Sequence, residues 1–294
     1  IEVFALPVIN AIVQLDQCDD DNDGISTFNL NEVANEITTN LTANTITFYS
    51  DLSDAQNSLN PITTVATYQN TTPSSQTLYA RVENVNACYR TAQININVTT
   101  TQIPASFLRT IYQCDDGTDL YDGIATFDLT GAQADIAALF PAGQTIDINF
   151  YRNELEALSE VNPIVNVNAY ENIGYPNSQN IYVRVDNASN DCIGLGHHVT
   201  LVVESNPVAP STIVIDQCDA DNDGVEFIDT STINAQLLQG QTNVDVTFRD
   251  ANGNLLPNPL PNPFTTASQT ITVEMTNSNS LDADGACAVT TQID

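Results

Sequence analysis

Two kinds of residue in this chain have a type and spacing that could do chemistry: aspartates packed into short loops, and cysteines that recur at long intervals. Asp19, Asp21 and Asp23 are followed by Gly24, and Asp219, Asp221 and Asp223 by Gly224. One-three-five carboxylates closed by a glycine are the opening of a calcium loop. Alternate residues in a tight turn aim hard oxygen ligands at one centre, and glycine allows the bend. The acidic residue expected at the twelfth position is replaced by Leu30 and Thr230, but an oxygen-bearing side chain recurs five residues after each glycine, at Asn29, Asp128 and Asp229. A related, longer loop carries Asp115, Asp116, Asp119 and Asp122. The expectation is Ca2+ in a structural role, with Asp191, Asp282 and Asp284 as further ligands if the chain brings them close. The competing reading is that Asp, Asn and Gly form solvated turns.

The six cysteines are Cys18, Cys88, Cys114, Cys192, Cys218 and Cys287. No two of them have C-x-x-C spacing, so a cysteine zinc site is not indicated. Taken two per repeat, as Cys18/Cys88, Cys114/Cys192 and Cys218/Cys287, they predict three intradomain disulfides formed in an oxidising compartment, against the alternative of buried free thiols. Other chemistry is thin. The only histidines, His197 and His198, sit at the start of an alternating apolar stretch. There is no H-E-x-x-H, G-x-S-x-G or phosphate-binding glycine loop. No enzyme activity is expected.

The elements that would position these residues come in threes. Asp16-Gln-Cys18, Tyr112-Gln-Cys114 and Asp216-Gln-Cys218 each open a unit of roughly 100 residues, the size of one domain. Each unit continues with a helical-looking stretch (30–37, 129–139, 233–238), then a strand ending in phenylalanine (Phe48, Phe150, Phe248), then an Asn-Pro turn. A strongly alternating strand comes next. Leu78, Ala80 and Val82 oppose Tyr79, Arg81 and Glu83; Ile181, Val183 and Val185 oppose Tyr182, Arg184 and Asp186; Ile271, Val273 and Met275 oppose Thr272, Glu274 and Thr276. Period-two alternation predicts one face on a core and one in water. A second cysteine and a closing strand complete each unit. The fold class expected is all-β: tandem immunoglobulin-like β-sandwich repeats, each with a short helical insertion and one intradomain disulfide. The expected boundaries are 7–101, 102–206 and 207–294, with residues 1–6 resembling the closing strand of an upstream repeat. On this reading the chain is a window cut from a longer array. Pro104, Pro207 and Pro210 mark short apolar linkers that should dock neighbouring repeats to one another.

Charge narrows the partners. Six Lys+Arg, all of them arginine, stand against 37 Asp+Glu, a net charge of −31. Nucleic acid and anionic membrane surfaces both require the opposite sign. No stretch reaches the roughly 18 apolar residues of a membrane span.

The combination Gln-Cys-Asp-x-Asp-x-Asp-Gly…Phe-x-Leu, Thr-Phe-Tyr…Asn-Pro-Ile and Tyr-x-Arg-Val-Glu/Asp-Asn…Cys resembles the tandem repeats of very large flavobacterial (Bacteroidota) surface proteins. Those proteins are exported by the type IX secretion system and include gliding-motility adhesins. The third repeat departs from the pattern, with Glu274 in place of arginine and Ile228-Asp229-Thr230 in place of Phe-x-Leu. The resemblance implies an extracellular, outer membrane-attached protein whose partners are neighbouring repeats of the same long chain and, by analogy, the secretion and surface-anchoring machinery. The function expected is a non-catalytic stalk in an adhesin, stiffened by calcium. The alternative is a carbohydrate- or ligand-binding module using Tyr79 and Tyr182 as a stacking surface.

Overall fold

The computed structural model describes residues 1–19, 23–189 and 191–294. Two compact units are present: Ile1–Arg109 with Asp128–Tyr170 and Asn180–Thr200, and Thr110–Phe127 with Glu171–Gln179 and Leu201–Asp294. Each holds one junction between successive sequence repeats.

In the first repeat the elements are β1 (Ile12–Asp19), β2 (Thr27–Phe28), α1 (Ala34–Ile37), β3 (Asn44–Tyr49), α2 (Leu52–Asn57), β4 (Tyr68–Gln69), β5 (Ser75–Asn84) and β6 (Tyr89–Thr100). A four-stranded sheet runs β1-β6-β5-β3, and β2 and β4 form a small second sheet. β5 is antiparallel to both β3 and β6. β1 instead pairs parallel with β6, from Ile12 opposite Gln93 to Asp19 opposite Thr100. The alternation read in β5 is realised: Leu78, Ala80 and Val82 are fully buried. They join Phe28, Leu30, Ile37, Tyr68, Ile94 and Ile96 in one core drawn from both sheets and α1. Each large apolar side chain buried there contributes about 1.5–3 kcal/mol.

The second repeat comprises β7 (Arg109–Cys114), β8 (Thr126–Phe127), α3 (Thr130–Ala137), β9 (Ile146–Tyr151), α4 (Glu154–Leu158), β10 (Tyr170–Glu171), β11 (Ser178–Asn187) and β12 (Cys192–Glu204). Its strands follow the order of the first repeat, β7-β12-β11-β9, with β8 beside β10. The Asn-Pro turns do the same job in both repeats. Asn60 and Asn162 take left-handed backbone angles (φ 47° and 54°), and the residue after each proline donates back to the end of β3 or β9, Ile62 to Phe48 and Ile164 to Phe150, both at 2.8 Å.

The third repeat comprises β13 (Glu226–Ile228), α5 (Ile233–Leu238), β14 (Val244–Arg249), β15 (Leu255–Leu256), β16 (Phe264–Thr266), β17 (Ile271–Asn277) and β18 (Ala288–Ile293). Its sheets run β15-β14-β17-β18 and β13-β16. The segment matching β1 and β7 forms no strand and makes only a single parallel bridge, Ile213 to Ile293. Ile1–Leu6, whose pattern resembles a closing strand, also lies outside every sheet.

Candidate functional site: the junctions between repeats

The cysteines correct the sequence reading. Cys18 is bonded to Cys192 and Cys114 to Cys287, with Cα–Cα distances of 5.4 and 5.3 Å, while Cys88 and Cys218 are free. None of the three intradomain pairs expected from the sequence forms. The parallel pairing of β1 with β6 is the reason. Cys18 is the next-to-last residue of β1, opposite Thr99 near the end of β6, whereas Cys88 precedes the start of β6. Eleven residues of strand separate the two levels, roughly 36 Å at about 3.3 Å per residue, and a disulfide needs Cα atoms within about 7 Å. The first cysteine of one repeat is therefore out of reach of its own second cysteine and bonds that of the following repeat.

The glutamine before each of these cysteines takes part in the same junction. Gln17 is 3% exposed; its amide donates to the carbonyl oxygens of Thr27 (2.9 Å) and Leu158 (2.7 Å), and its oxygen accepts from Arg184 at 2.6 Å. Arg184 is 1% exposed, although alternation placed it on a solvent face along with Asp186. Its Nε lies 2.9 and 3.0 Å from the two Asp186 oxygens, and it also ion-pairs with Glu160. Glu32 completes the cluster, with Oε1 buried and no hydrogen-bond partner among the described residues. Burial, then the charge of Glu160, push the Glu32 carboxyl up to about 8, partly offset by Arg184. Asp186 is also raised, by burial, against the lowering effect of Arg184.

The linker is fixed to this junction. Gln102 donates to Ile193 (2.8 Å), Leu195 donates to Thr101 Oγ1 (3.0 Å), and Ile103 is 1% exposed. A Cβ on Gly194 would stand 2.9 Å from the Ile103 side chain, so glycine is what admits it. Tyr182 packs against the apolar cluster around Cys18 and Cys192, with its ring centroid 6.0 Å from that of His197. His198 Nδ1 meets the Phe107 carbonyl at 3.0 Å. Both histidines are thus structural parts of β12.

The next junction uses different side chains in the same places. The third repeat has Glu274 where the second has Arg184, and its turn before the second cysteine is longer. That turn supplies Asp282, which accepts from Gln113 Nε2 (3.1 Å) and from the Cys114 backbone (2.8 Å). Glu204 in turn accepts from the backbones of Leu281 (2.9 Å) and Asp282 (3.1 Å). Glutamine suits both junctions because its amide offers an acceptor to arginine and a donor to aspartate.

The acidic loops divide into two kinds. Asp19 and Asp115 are buried, and each accepts from its loop glycine, Gly24 or Gly123, at 2.7 Å. Each loop is tied down by an asparagine that the sequence reading missed. Asn70 accepts from Ser26 (2.7 Å) and donates to Gly24 (2.9 Å); Asn172 accepts from Ala125 (2.8 Å) and donates to Gly123 (3.1 Å). Their recurrence as Tyr68-Gln-Asn70 and Tyr170-Glu-Asn172 was the available signal. In the third repeat Asp219, Asp221 and Asp223 are exposed, and their oxygens gather within 4.8 Å of one another. The loop of the second repeat shows no such gathering among the described residues: Asp116 accepts from Thr126, Asp119 from Tyr121 and Asp122 from Ile124. Asp115 keeps Oδ1 buried with no hydrogen-bond partner among the described residues. In the first repeat Asp23 accepts from Ile25, and Asp21 lies outside the described residues. Asn29, Asp128 and Asp229 accept from the backbone two residues on, ahead of the helices, and stand apart from the gathered carboxylates. Of the further acids, Asp191 bonds Asn187 (3.0 Å), Asp282 lies beside Cys114 and Cys287, and Asp284 donates its backbone N–H to Asp282 (2.9 Å).

Repeated β-sandwich units, each bonded covalently to the next, define a class of stapled tandem-repeat proteins. This chain belongs to the Flavobacterium inter-domain disulphide bond domain family, whose model matches it three times, over residues 14–104, 110–207 and 214–294. No curated protein matches the chain. Among solved structures it is similar to a titin I-band fragment, I67–I69 (12% identity, 97% of this chain and 96% of that one, TM-score 0.23). Human CDH23 EC21-23 gives 10% identity, 99% and 100% coverage and a TM-score of 0.19. The Bacteroides ovatus mixed-linkage glucan utilization locus protein SGBP-B gives 10%, 97% and 66%, and 0.18. TM-scores this low carry no argument about function. No helix among the described residues is long and apolar enough to cross a membrane.

Proposed function

We propose that this chain is a non-catalytic shaft segment of a large extracellular adhesin of the outer cell surface, exported by type IX secretion and serving adhesion or gliding. The observation that carries the reading is the pair of interleaved disulfides, Cys18–Cys192 and Cys114–Cys287, each spanning more than 170 residues. A protein that transmits force along its length gains from bonds that cross its joints, because those joints are where a string of domains would otherwise yield. Antibodies against the segment should label intact cells of the source organism, and an in-frame deletion of the segment should reduce attachment or gliding. Label found only after permeabilisation would overturn the surface reading.

Calcium belongs to the same proposal. The gathering of Asp219, Asp221 and Asp223 and the buried, unpartnered Oδ1 of Asp115 support it. An ion bound to the native state raises stability by RT ln(1 + [L]/Kd). Thermal unfolding with the disulfides intact should therefore move several degrees upward in millimolar Ca2+ relative to EGTA. Coincident curves would leave the acidic loops as turns only.

A further inference from the structure

We propose that the junction holding Cys114 and Cys287 is also a zinc site: when its disulfide is reduced, the two thiolates and the carboxylates of Asp282 and Glu204 take up one Zn2+. The four residues come from three separate stretches of chain. Cys114 ends β7, Glu204 ends β12, and Asp282 and Cys287 lie in the turn before β18. No short motif could have announced them.

The geometry is that of a small coordination sphere. One ligand atom from each of Cys114, Asp282 and Cys287 lies within 4.8 Å of the others. Glu204 Oε2 stands 3.7 Å from Cys287 Sγ. Tetrahedral zinc, with ligands at about 2.0–2.3 Å, sets neighbouring ligand atoms about 3.3–3.8 Å apart. Side-chain rotations of the kind a broken S–S bond frees would close the sphere. Thiolate with carboxylate is a donor set that suits borderline-soft Zn2+.

The carboxylates are already oriented. Asp282 Oδ2 accepts from the Cys114 backbone (2.8 Å) and from Gln113 Nε2 (3.1 Å), and Oδ1 accepts from the Asp284 backbone (2.9 Å). Glu204 is held by the backbones of Leu281 and Asp282 and by the Ser280 hydroxyl. Outer partners of this kind fix a ligand before the metal arrives. Cys287 is 1% exposed, but Cys114 and Asp282 are only half-buried, so an ion has a way in.

Charge points the same way. Reduction sets two thiols beside two carboxylates, where neither thiol ionises readily without a dication. The other junction is the contrast. Cys18 and Cys192 pack with Tyr151, Ala157, Leu158 and Leu195, and no group of potential ligands gathers around them among the described residues.

A dithiol reductant opens the bond. One dithiol and the protein disulfide become two cysteine thiols and the oxidised, disulfide form of the reductant. Zn2+ then displaces the two thiol protons to water. The joint is tied by a covalent bond when oxidised and by a metal when reduced.

The test uses the full chain carrying Cys88→Ser and Cys218→Ser, which removes the two thiols outside any disulfide. Co2+ is the probe, because thiolate ligands give it a charge-transfer band and a tetrahedral site gives it intense visible bands. After anaerobic reduction with dithiothreitol and removal of the reagent, one equivalent of Co2+ should produce both signals, and Zn2+ should displace it. The oxidised chain should give neither. Adding Cys18→Ser and Cys192→Ser should leave the signals unchanged; adding Cys114→Ser and Cys287→Ser should abolish them. Asp282→Asn should weaken binding at least tenfold. Zn2+ should also restore slow hydrogen exchange at the Cys114 amide of the reduced chain, a readout that capture by an unfolded dithiol would not move. The proposal is overturned by a reduced chain without the bands, by bands that survive the loss of Cys114 and Cys287, by an affinity indifferent to Asp282→Asn, or by a Cys114 amide that Zn2+ leaves unprotected. It rests on the geometry of this junction and not on the surface-shaft reading, which its failure would leave standing.

Discussion

Across the junction of the first two repeats, the guanidinium of Arg184 donates to the side-chain oxygen of Gln17 at 2.6 Å while its Nε is held by Asp186. The arrangement takes one cation and at least two carboxylates out of water, so its worth depends on the set being complete. Arg184→Ala would strand Asp186, 5% exposed, and Glu160, 18% exposed, in an apolar joint. Removing one partner of a buried ion pair costs about 3–5 kcal/mol. Denaturant unfolding of Arg184→Ala should show a loss of that size. Arg81→Ala, which removes the pair with the more exposed Glu83 and the stacking on Tyr89, should lose about 1–2 kcal/mol.

The same cluster predicts a pH dependence. Glu32 ordinarily titrates near 4.5 and is pushed up to about 8 in the folded chain. Between those values the folded state holds a proton that the unfolded state has released, so its contribution to stability falls as pH rises through that window. The groups facing Glu32 are Glu160, Asp186 and Arg184, and their net charge is negative. Glu32→Gln should therefore raise the melting temperature at pH 8 and leave it nearly unchanged at pH 4. Equal shifts at both pH values would point to packing and not to the proton.

The loop glycines separate by environment. A Cβ on Gly123 would lie 2.8 Å from the Asn177 backbone nitrogen, whereas one on Gly224 meets nothing within 4 Å. Both residues have left-handed φ, 77° and 87°. Gly224→Ala should cost only the conformational strain, about 1–2 kcal/mol. Gly123→Ala adds a backbone clash and should cost about 3 kcal/mol or more. Differential scanning calorimetry of the two variants would compare them directly.

Removing a staple should cost more than an intradomain bridge would. The Cys18–Cys192 bond closes a loop of 174 residues, worth roughly 5 kcal/mol in the chain-entropy model. Cys18→Ala/Cys192→Ala should lose up to that amount in denaturant. It should also raise hydrogen exchange at the Gln102 and Leu195 amides, which donate across the junction. Exchange unchanged at those amides would mean that the polar contacts fix the joint alone.

Much of this was legible in the sequence. Period-two alternation placed Leu78, Ala80, Val82 and their counterparts on the core, and the repeated Asn-Pro marked a turn that docks on β3 and β9. The disulfide partners were not legible, because every repeat contributes one first and one second cysteine and their spacing does not say which repeat supplies the partner. Only the parallel pairing of β1 and β6, a long-range fact, puts Cys18 and Cys88 at different levels of the sheet. Alternation also misassigned Arg184 and Asp186, since a face that meets water in an isolated repeat meets a neighbour in an array. Gln17 was on view in the thrice-repeated Gln-Cys, but its role needed Arg184, 167 residues away.

Which cysteines are joined decides whether the repeats are bonded to one another or each to itself. Proteolysis of the non-reduced, alkylated protein followed by mass spectrometry would settle it. The expected spectrum contains the cross-linked peptides Cys18–Cys192 and Cys114–Cys287, with Cys88 and Cys218 recovered as alkylated thiols. Peptides joining Cys18 to Cys88, Cys114 to Cys192 and Cys218 to Cys287 would contradict it and return each repeat to a self-contained domain.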